Sequence, residues 1–139
     1  MTVKEYMKKW VMTETCICMD KVLSQIMQRP RLVCNDGYSI SVQGSGNHYC
    51  TPRANLLGAD YDEVELGFPS EPDSLINEYA EDPTDYTGTV YGWVPMEIVE
   101  ELIKKHGGIK GPDEEALKRM EECVEIKSDF VRATVSWKK

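Results

Sequence analysis

The chain reads as an α+β protein in which an antiparallel sheet of about four or five strands carries helices packed on one face. Three observations predict it. Apolar residues recur with helical spacing near the N-terminus and over residues 95–106. They alternate with polar residues over 38–43, 61–68 and 89–94, as half-buried strands do. Asn35-Asp36-Gly37, residues that tolerate positive φ, sits between two strand-like runs and marks a β-hairpin. At 139 residues, with 41% hydrophobic and 29% charged, the chain has the size and composition of one globular domain, residues 1–139, expected as a monomer or small homo-oligomer.

Val3, Tyr6, Met7, Trp10 and Val11 follow the i, i+3, i+4, i+7, i+8 spacing of one helical face, with Lys4, Lys8 and Lys9 opposite. β-branched and sulfur-bearing residues over 13–18 weaken that helix, and Met19, Val22, Leu23 and Ile26 restore its period until Arg29-Pro30. Two helical pieces or one bent helix are therefore expected, with residues 1–19 as a helical N-terminal extension. Residues 32–43 form the hairpin, in which Tyr38, Ile40 and Val42 face the core and Ser39, Ser41 and Gln43 face water. A glycine-rich polar loop, 44–53, follows.

Residues 61–68 alternate Val64, Leu66 and Phe68 with Glu63 and Glu65, giving a strand with an acidic outer face. Ser70 is placed to cap a short helix over 71–80, with Leu75, Ile76 and Tyr79 inward and Glu71 and Asp73 in its first turn. An acidic turn over 81–88 leads into a strand at 89–94. Pro95 then opens a helix over 95–106, with Ile98, Val99, Leu102 and Ile103 as its core stripe and Gly107-Gly108 as its stop. Residues 111–139 supply a last helix, with Leu117, Met120 and Val124 inward, and a last strand, Val131 to Trp137. Trp10, Tyr91, Trp93 and Trp137 are expected in the core or at its edge. Tyr49, Tyr61 and Tyr86 lie in or beside loops, where an aromatic anchors a partner more often.

Charge is segregated along the chain. Residues 32–100 hold thirteen Asp and Glu against one basic residue, Arg53, while both flanks are weakly basic and the whole chain carries −8. Such a field repels nucleic acid and acidic membranes and favours a basic partner. Alternate strand residues project to one face at about 6.7 Å spacing, so Asp60, Asp62, Glu63 and Glu65, with Glu71 and Asp73 of the next helix, are expected to line an exposed acidic ridge. A DNA strand presents a phosphate per ~3.4 Å, and such a ridge suits a groove built for nucleic acid.

Other chemistries have weaker signatures. Asp60-x-Asp62-Glu63 and Asp82-x-x-Asp85 lack the twelve-residue calcium loop. Cys34, His48 and Cys50, with Cys16, Cys18 or Cys123, lack the Cys-x2-Cys spacing of structural zinc, so no metal and no cofactor is expected. The odd set of five cysteines reads as reduced thiols. His48, Cys50 and His106 show no arrangement that marks a nucleophile with its base, and His106 reads as a cation at a helix C-terminus. An alternative site is the loop itself: Ser45, Asn47, His48, Tyr49 and Arg53 can frame a phosphate-bearing ligand, backbone N–H groups cradling it and Arg53 supplying charge. The N-terminus lacks a secretory h-region and no stretch approaches the ~20 apolar residues of a membrane span, so a cytoplasmic location is expected.

Val33 to Gln43, His48 to Arg53, Gly67 to Ser70, and Val90-Tyr-Gly-Trp-Val-Pro95 through Gly108 together resemble small uncharacterised proteins of phages and prophages of gut Firmicutes, over roughly residues 20–109. The resemblance brings no established activity. It implies an accessory protein of a mobile element, and with the acidic belt it favours a non-catalytic inhibitor that occupies a basic, nucleic-acid-binding host protein or a basic phage protein. A nucleotide binder using loop 44–53 and a structural or packaging accessory of the phage are the competing classes.

Overall fold

A computed structural model describes residues 1–56, 60–125 and 130–138. The described chain is α+β, with three helices and eight strands in two antiparallel sheets. The larger has five strands in the order β6 (Val90–Pro95), β5 (Glu63–Gly67), β4 (Ser39–Gln43), β3 (Leu32–Cys34) and β7 (Ile109–Pro112). The smaller pairs β1 (Met12–Cys18) with β2 (Lys21–Gln28) on one side and β8 (Val131–Val135) on the other. Helices α1 (Val3–Lys9) and α2 (Met96–Lys105) pack on the large sheet, while α3 (Glu114–Glu125) contacts β8.

The alternation expected of the central strands is what builds the core. Ile40 and Val42 of β4, Val64 and Leu66 of β5, and Tyr91 and Val94 of β6 are buried together with Met96, Val99, Leu102 and Ile103 of α2. Each such side chain fully removed from water contributes about 1.5–3 kcal/mol. Helix α1 is not an extension, because Val3, Tyr6 and Met7 lie inside the same cluster. Seven residues are too few for a helix to stand alone. A capping box supports it: the Thr2 hydroxyl accepts from the Glu5 N–H at 3.1 Å and the Glu5 carboxylate accepts from the Thr2 N–H at 2.9 Å.

Three expectations are corrected. After Lys9 the N-terminal region is no helix but the hairpin β1–β2, turning at Met19 and Asp20 with φ of 51° and 63°. The β-branched residues of 13–18 prefer extended chain, and Met19, Val22 and Leu23, which supplied the helical period, are exposed. This hairpin and β8 make a second, three-stranded sheet beside the expected one of five strands. The helix expected over 71–80 is reduced to a 3-10 turn at Asn77–Tyr79. Phe68 does not continue the inward alternation of β5: it takes φ 52° and is 49% exposed, its carbonyl accepting from Arg31. The C-terminal piece 111–139 includes 126–129 and 139, which lie outside the described residues.

His106 explains the shortened helix. It ends α2 with 8% of its side chain exposed, Nδ1 2.7 Å from Asp36 Oδ2 and Nε2 2.9 Å from Asp73 Oδ2. The Tyr38 ring stacks on it at 3.8 Å between centroids, and Lys105 Nζ reaches the other Asp73 oxygen at 3.0 Å. Asp73 is buried, so its segment is drawn inward and its carboxylate caps the Leu75 N–H at 3.0 Å instead of opening an exposed helix. Burial is the largest influence on His106 and opposes its charge, yet hydrogen bonds and charge from Asp36 and Asp73 outweigh it and raise its pKa above the ordinary 6.5. Both carboxylates are held below their ordinary 3.8, Asp36 chiefly by the Tyr38 N–H and His106. For Asp73 burial pushes upward, and the Leu75 N–H, His106 and Lys105 together prevail.

The stabilising contribution of this cluster is complete between the ordinary carboxylate and imidazole values. It fades as pH falls through the lowered values of Asp36 and Asp73, and fades again as pH rises through the raised value of His106. Urea midpoints measured across pH should therefore decline in the wild type as pH rises above the ordinary imidazole value of 6.5. In His106→Asn the plateau should be lower and that alkaline decline flattened; a decline of unchanged slope would assign it to another group.

Candidate functional site

The six acids expected on one ridge are dispersed by the fold. Asp60 faces α1, 2.8 Å from Lys8 Nζ and 3.8 Å from Lys4 Nζ. Asp73 is inside with His106, which removes it from any contact surface. Asp62 and Glu71 are exposed. Only Glu63 and Glu65 share one face of β5 by its alternation, and both are half-buried because the preceding loop lies against them. Glu63 Oε1 accepts from the Thr51 hydroxyl at 2.7 Å, and Glu65 Oε1 accepts from the Tyr49 N–H at 3.1 Å.

Loop 44–53 spends its polar groups on itself. The Gly46 N–H donates to Asn55 Oδ1 at 2.9 Å, the Asn47 N–H to Ser45 Oγ at 3.0 Å, and the His48 N–H to the Ser45 carbonyl at 3.3 Å. The N–H groups that would cradle a phosphate are thus already committed. Ser45 is fully buried, and its hydroxyl, accepting from the Asn47 N–H, is hydrogen-bonded to His48 Nδ1 at 2.5 Å. His48 is held below its ordinary 6.5, first by burial, so it stays neutral near pH 7. Cys50 is buried, donates its thiol to the Ser45 carbonyl, and has its pKa raised, chiefly by burial, so it is no thiolate. Arg29 completes the floor of the loop, 4% exposed, donating to the Met7 carbonyl at 2.8 Å and the Gly44 carbonyl at 2.7 Å. Tyr61, expected as a loop anchor, is buried, its hydroxyl donating to the Ala54 carbonyl at 2.7 Å.

What the loop does present is Tyr49. Its ring stacks on Trp93 of β6 at 4.9 Å between centroids with 27° between planes, and the Arg53 guanidinium lies 5.4 Å from its centroid. Trp93 is not a core residue: 48% of it is exposed. The pairing of β5 with β6 shifts between Val64 and Leu66, so inward Tyr91 and inward Val94 are separated by two residues, and Trp93 takes φ 52°. A non-glycine residue in that region carries about 1–2 kcal/mol of strain. Its N–H donates to the Tyr49 carbonyl at 3.0 Å, which fixes loop and strand together. Gly92 fits closely beneath them: a Cβ there would sit 3.2 Å from Tyr49 Cβ, so that Tyr49 would have to give by a few tenths of an ångström.

Tyr49, Tyr79, Glu81, Gly92 and Trp93 line a groove of about 310 Å³. The strand edge beside it is covered by residues 80 and 81, the Glu81 N–H donating to the Val90 carbonyl at 3.0 Å. Acids gather near its Tyr79 wall: burial first, then the carboxylates of Glu78, Glu63 and Glu97, push the Tyr79 phenol above its ordinary 10.0, while Arg53 stands at the Tyr49 side. Two hollows of about 660 Å³ lie between β7 and the start of α3 and beside the N-terminus and the end of α2, but neither gathers aromatic rings. Among the described residues no cluster of three His, Cys, Asp or Glu side chains could hold a metal ion, and no helix is long and apolar enough to cross a membrane.

Sequence reasoning singled out Tyr49 and Arg53 for a ligand loop and Glu63 and Glu65 for an acidic ridge, and did not pick Tyr79, Glu81, Gly92 or Trp93 as site residues. A lone glycine inside a strand pattern, as in Val90-Tyr-Gly-Trp-Val94, was the available signal, since it marks a bulge or close backbone approach. Comparison with protein-family models, curated proteins and solved structures finds no match for the chain. Replacing Trp93 by Gly removes both the strain and the stack, each about 1 kcal/mol, so urea unfolding should find stability within about 1 kcal/mol of wild type. Tyr91→Ala, two residues away but fully buried, should cost about 3 kcal/mol or more. Comparable losses at the two positions would make Trp93 a structural residue.

Proposed function

We propose that the protein is a non-catalytic binder of a basic protein, docking through the surface around the Tyr49–Trp93 stack. The carrying observation is that stack: two adjoining aromatic rings left partly exposed, one of them on strained backbone, in acid-rich surroundings. Folding alone favours neither an exposed tryptophan nor a positive φ for it, and strain of this kind collects at functional positions. The acids steer a basic partner into encounter and the rings supply the contact that holds it, a division of labour common to protein interfaces. Resemblance to phage and prophage proteins supports an accessory role in which the occupied protein is a nucleic-acid-binding host protein. The ligand reading of loop 44–53 has less support, because N–H groups it needs are already bonded, within the loop or to Asn55.

Reversal of Glu63 and Glu65 is not a clean test, since their carboxylates hold the loop. Glu78 and Glu97 are exposed and serve better. The immobilised protein, incubated with bacterial lysate at low and high salt, should retain basic nucleic-acid-binding proteins identified by mass spectrometry. Trp93→Ala should lose them by about 30-fold or more, as for an interface anchor of ~2 kcal/mol, and Glu78→Lys/Glu97→Lys should weaken retention mainly at low salt. Retention of the same proteins by all three forms, or of proteins without basic character, would contradict the proposal.

A further inference from the structure

We infer that the groove between Tyr79 and Trp93 is the seat of a single arginine side chain of the partner protein. The inference rests on the binding reading above and assigns the chemistry of its central contact. The walls are three aromatic rings, Tyr49, Tyr79 and Trp93, and one carboxylate, Glu81, around a floor kept open by Gly92. Ring faces attract a cation through their quadrupoles, more strongly as water is excluded, and tryptophan does so best. Glu81 is exposed and, among the described residues, forms no ion pair, whereas Asp60, Asp73 and Glu121 each hold a lysine. It is the wall group with charge left to offer.

Two further features select a guanidinium. Arg53 of the same chain lies over Tyr49 at 5.4 Å, so a guanidinium is already accommodated on one of these rings, and among the described residues no cation lies over Trp93. A planar guanidinium can stack on a ring and meet a carboxylate with two parallel N–H bonds at once, which an ammonium cannot do. At about 310 Å³ the groove is at the small end of ligand pockets, room for one long side chain rather than a nucleotide. The carboxylates of Glu63, Glu78 and Glu97, which already act on Tyr79, add to the attraction.

The full chain, labelled with nitrogen-15, is titrated with N-acetyl-arginine methylamide, with the citrulline analogue, which is nearly isosteric and uncharged, and with the lysine analogue. The arginine probe should shift the Trp93 indole N–H and the Gly92 amide saturably, with millimolar affinity, and leave the Trp10 and Trp137 indoles in place. The citrulline and lysine probes should bind at least ~10-fold more weakly, and Glu81→Gln should weaken the arginine probe by a similar factor while its Trp10 and Trp137 signals stay those of the wild type. Equal binding of all three probes, insensitivity to Glu81→Gln, or no movement of Trp93 overturns the inference. If the lysate experiment succeeds while Trp93 ignores the arginine probe, the binding surface stands and only its occupant is wrong; failure of the lysate experiment with a clear arginine response refutes the proposed partner and leaves the cation site.

Discussion

The imidazole of His106, closed between Asp36 and Asp73 and stacked under Tyr38, is the contact on which the arrangement of the site depends. It joins three parts of the chain that share no secondary structure: the β3–β4 turn, the segment entering the 3-10 turn, and the end of α2. A buried carboxylate that lost this partner would be left with the charge of Lys105 alone, from a side chain that is 50% exposed. Removal of one member of such a buried pair is more costly than its net worth, because the survivor keeps its desolvation penalty. The segment anchored by Asp73 then runs through Ile76, Tyr79 and Glu81 to the edge of β6. The outer wall of the groove is therefore hung from a charged histidine.

The same contact explains much of what the sequence concealed. Periodicity finds helices and strands that have a core to face, so α2, the hairpin around Asn35-Asp36-Gly37 and the inward residues of β4 and β5 were legible. It fails where apolar residues are exposed, as in β2, whose Val22 and Leu23 mimicked a helical stripe while facing water. It also treats every acid as solvated. Asp73 is the exception: its inward course depends on a histidine 33 residues away, which no local pattern records. Strand β7 was missed for a related reason, being a short edge of Ile109 to Pro112 that, among the described residues, pairs only with β3.

For the site, composition gave the sign of the charge but not its address. Of the ridge acids, the fold turns Asp60 to α1 and takes Asp73 into the core, while Glu63 and Glu65 become supports for the loop that presents Tyr49. The acids that remain around Tyr79 and Trp93 belong to segments on either side of β6. Net charge is thus a property of encounter, acting over a Debye length of about 8 Å in physiological salt, and the aromatic groove is a property of contact. A single strained residue, Trp93, connects the two, since the shift in strand pairing that exposes its ring also directs its N–H to Tyr49.

Hydrogen exchange of the backbone amides in His106→Asn against wild type tests this dependence most directly. The Ile76, Tyr79, Ala80 and Glu81 N–H groups bond to Asp73, Ile76, Asn77 and Val90 carbonyls, and the Trp93 N–H to Tyr49. If the groove hangs from the charged histidine, these five amides should lose protection together in the variant while those of β4 and β5 keep theirs. Loss confined to the Asp36 turn, with Glu81 and Trp93 as protected as before, would show that the groove stands without the histidine and would contradict the account.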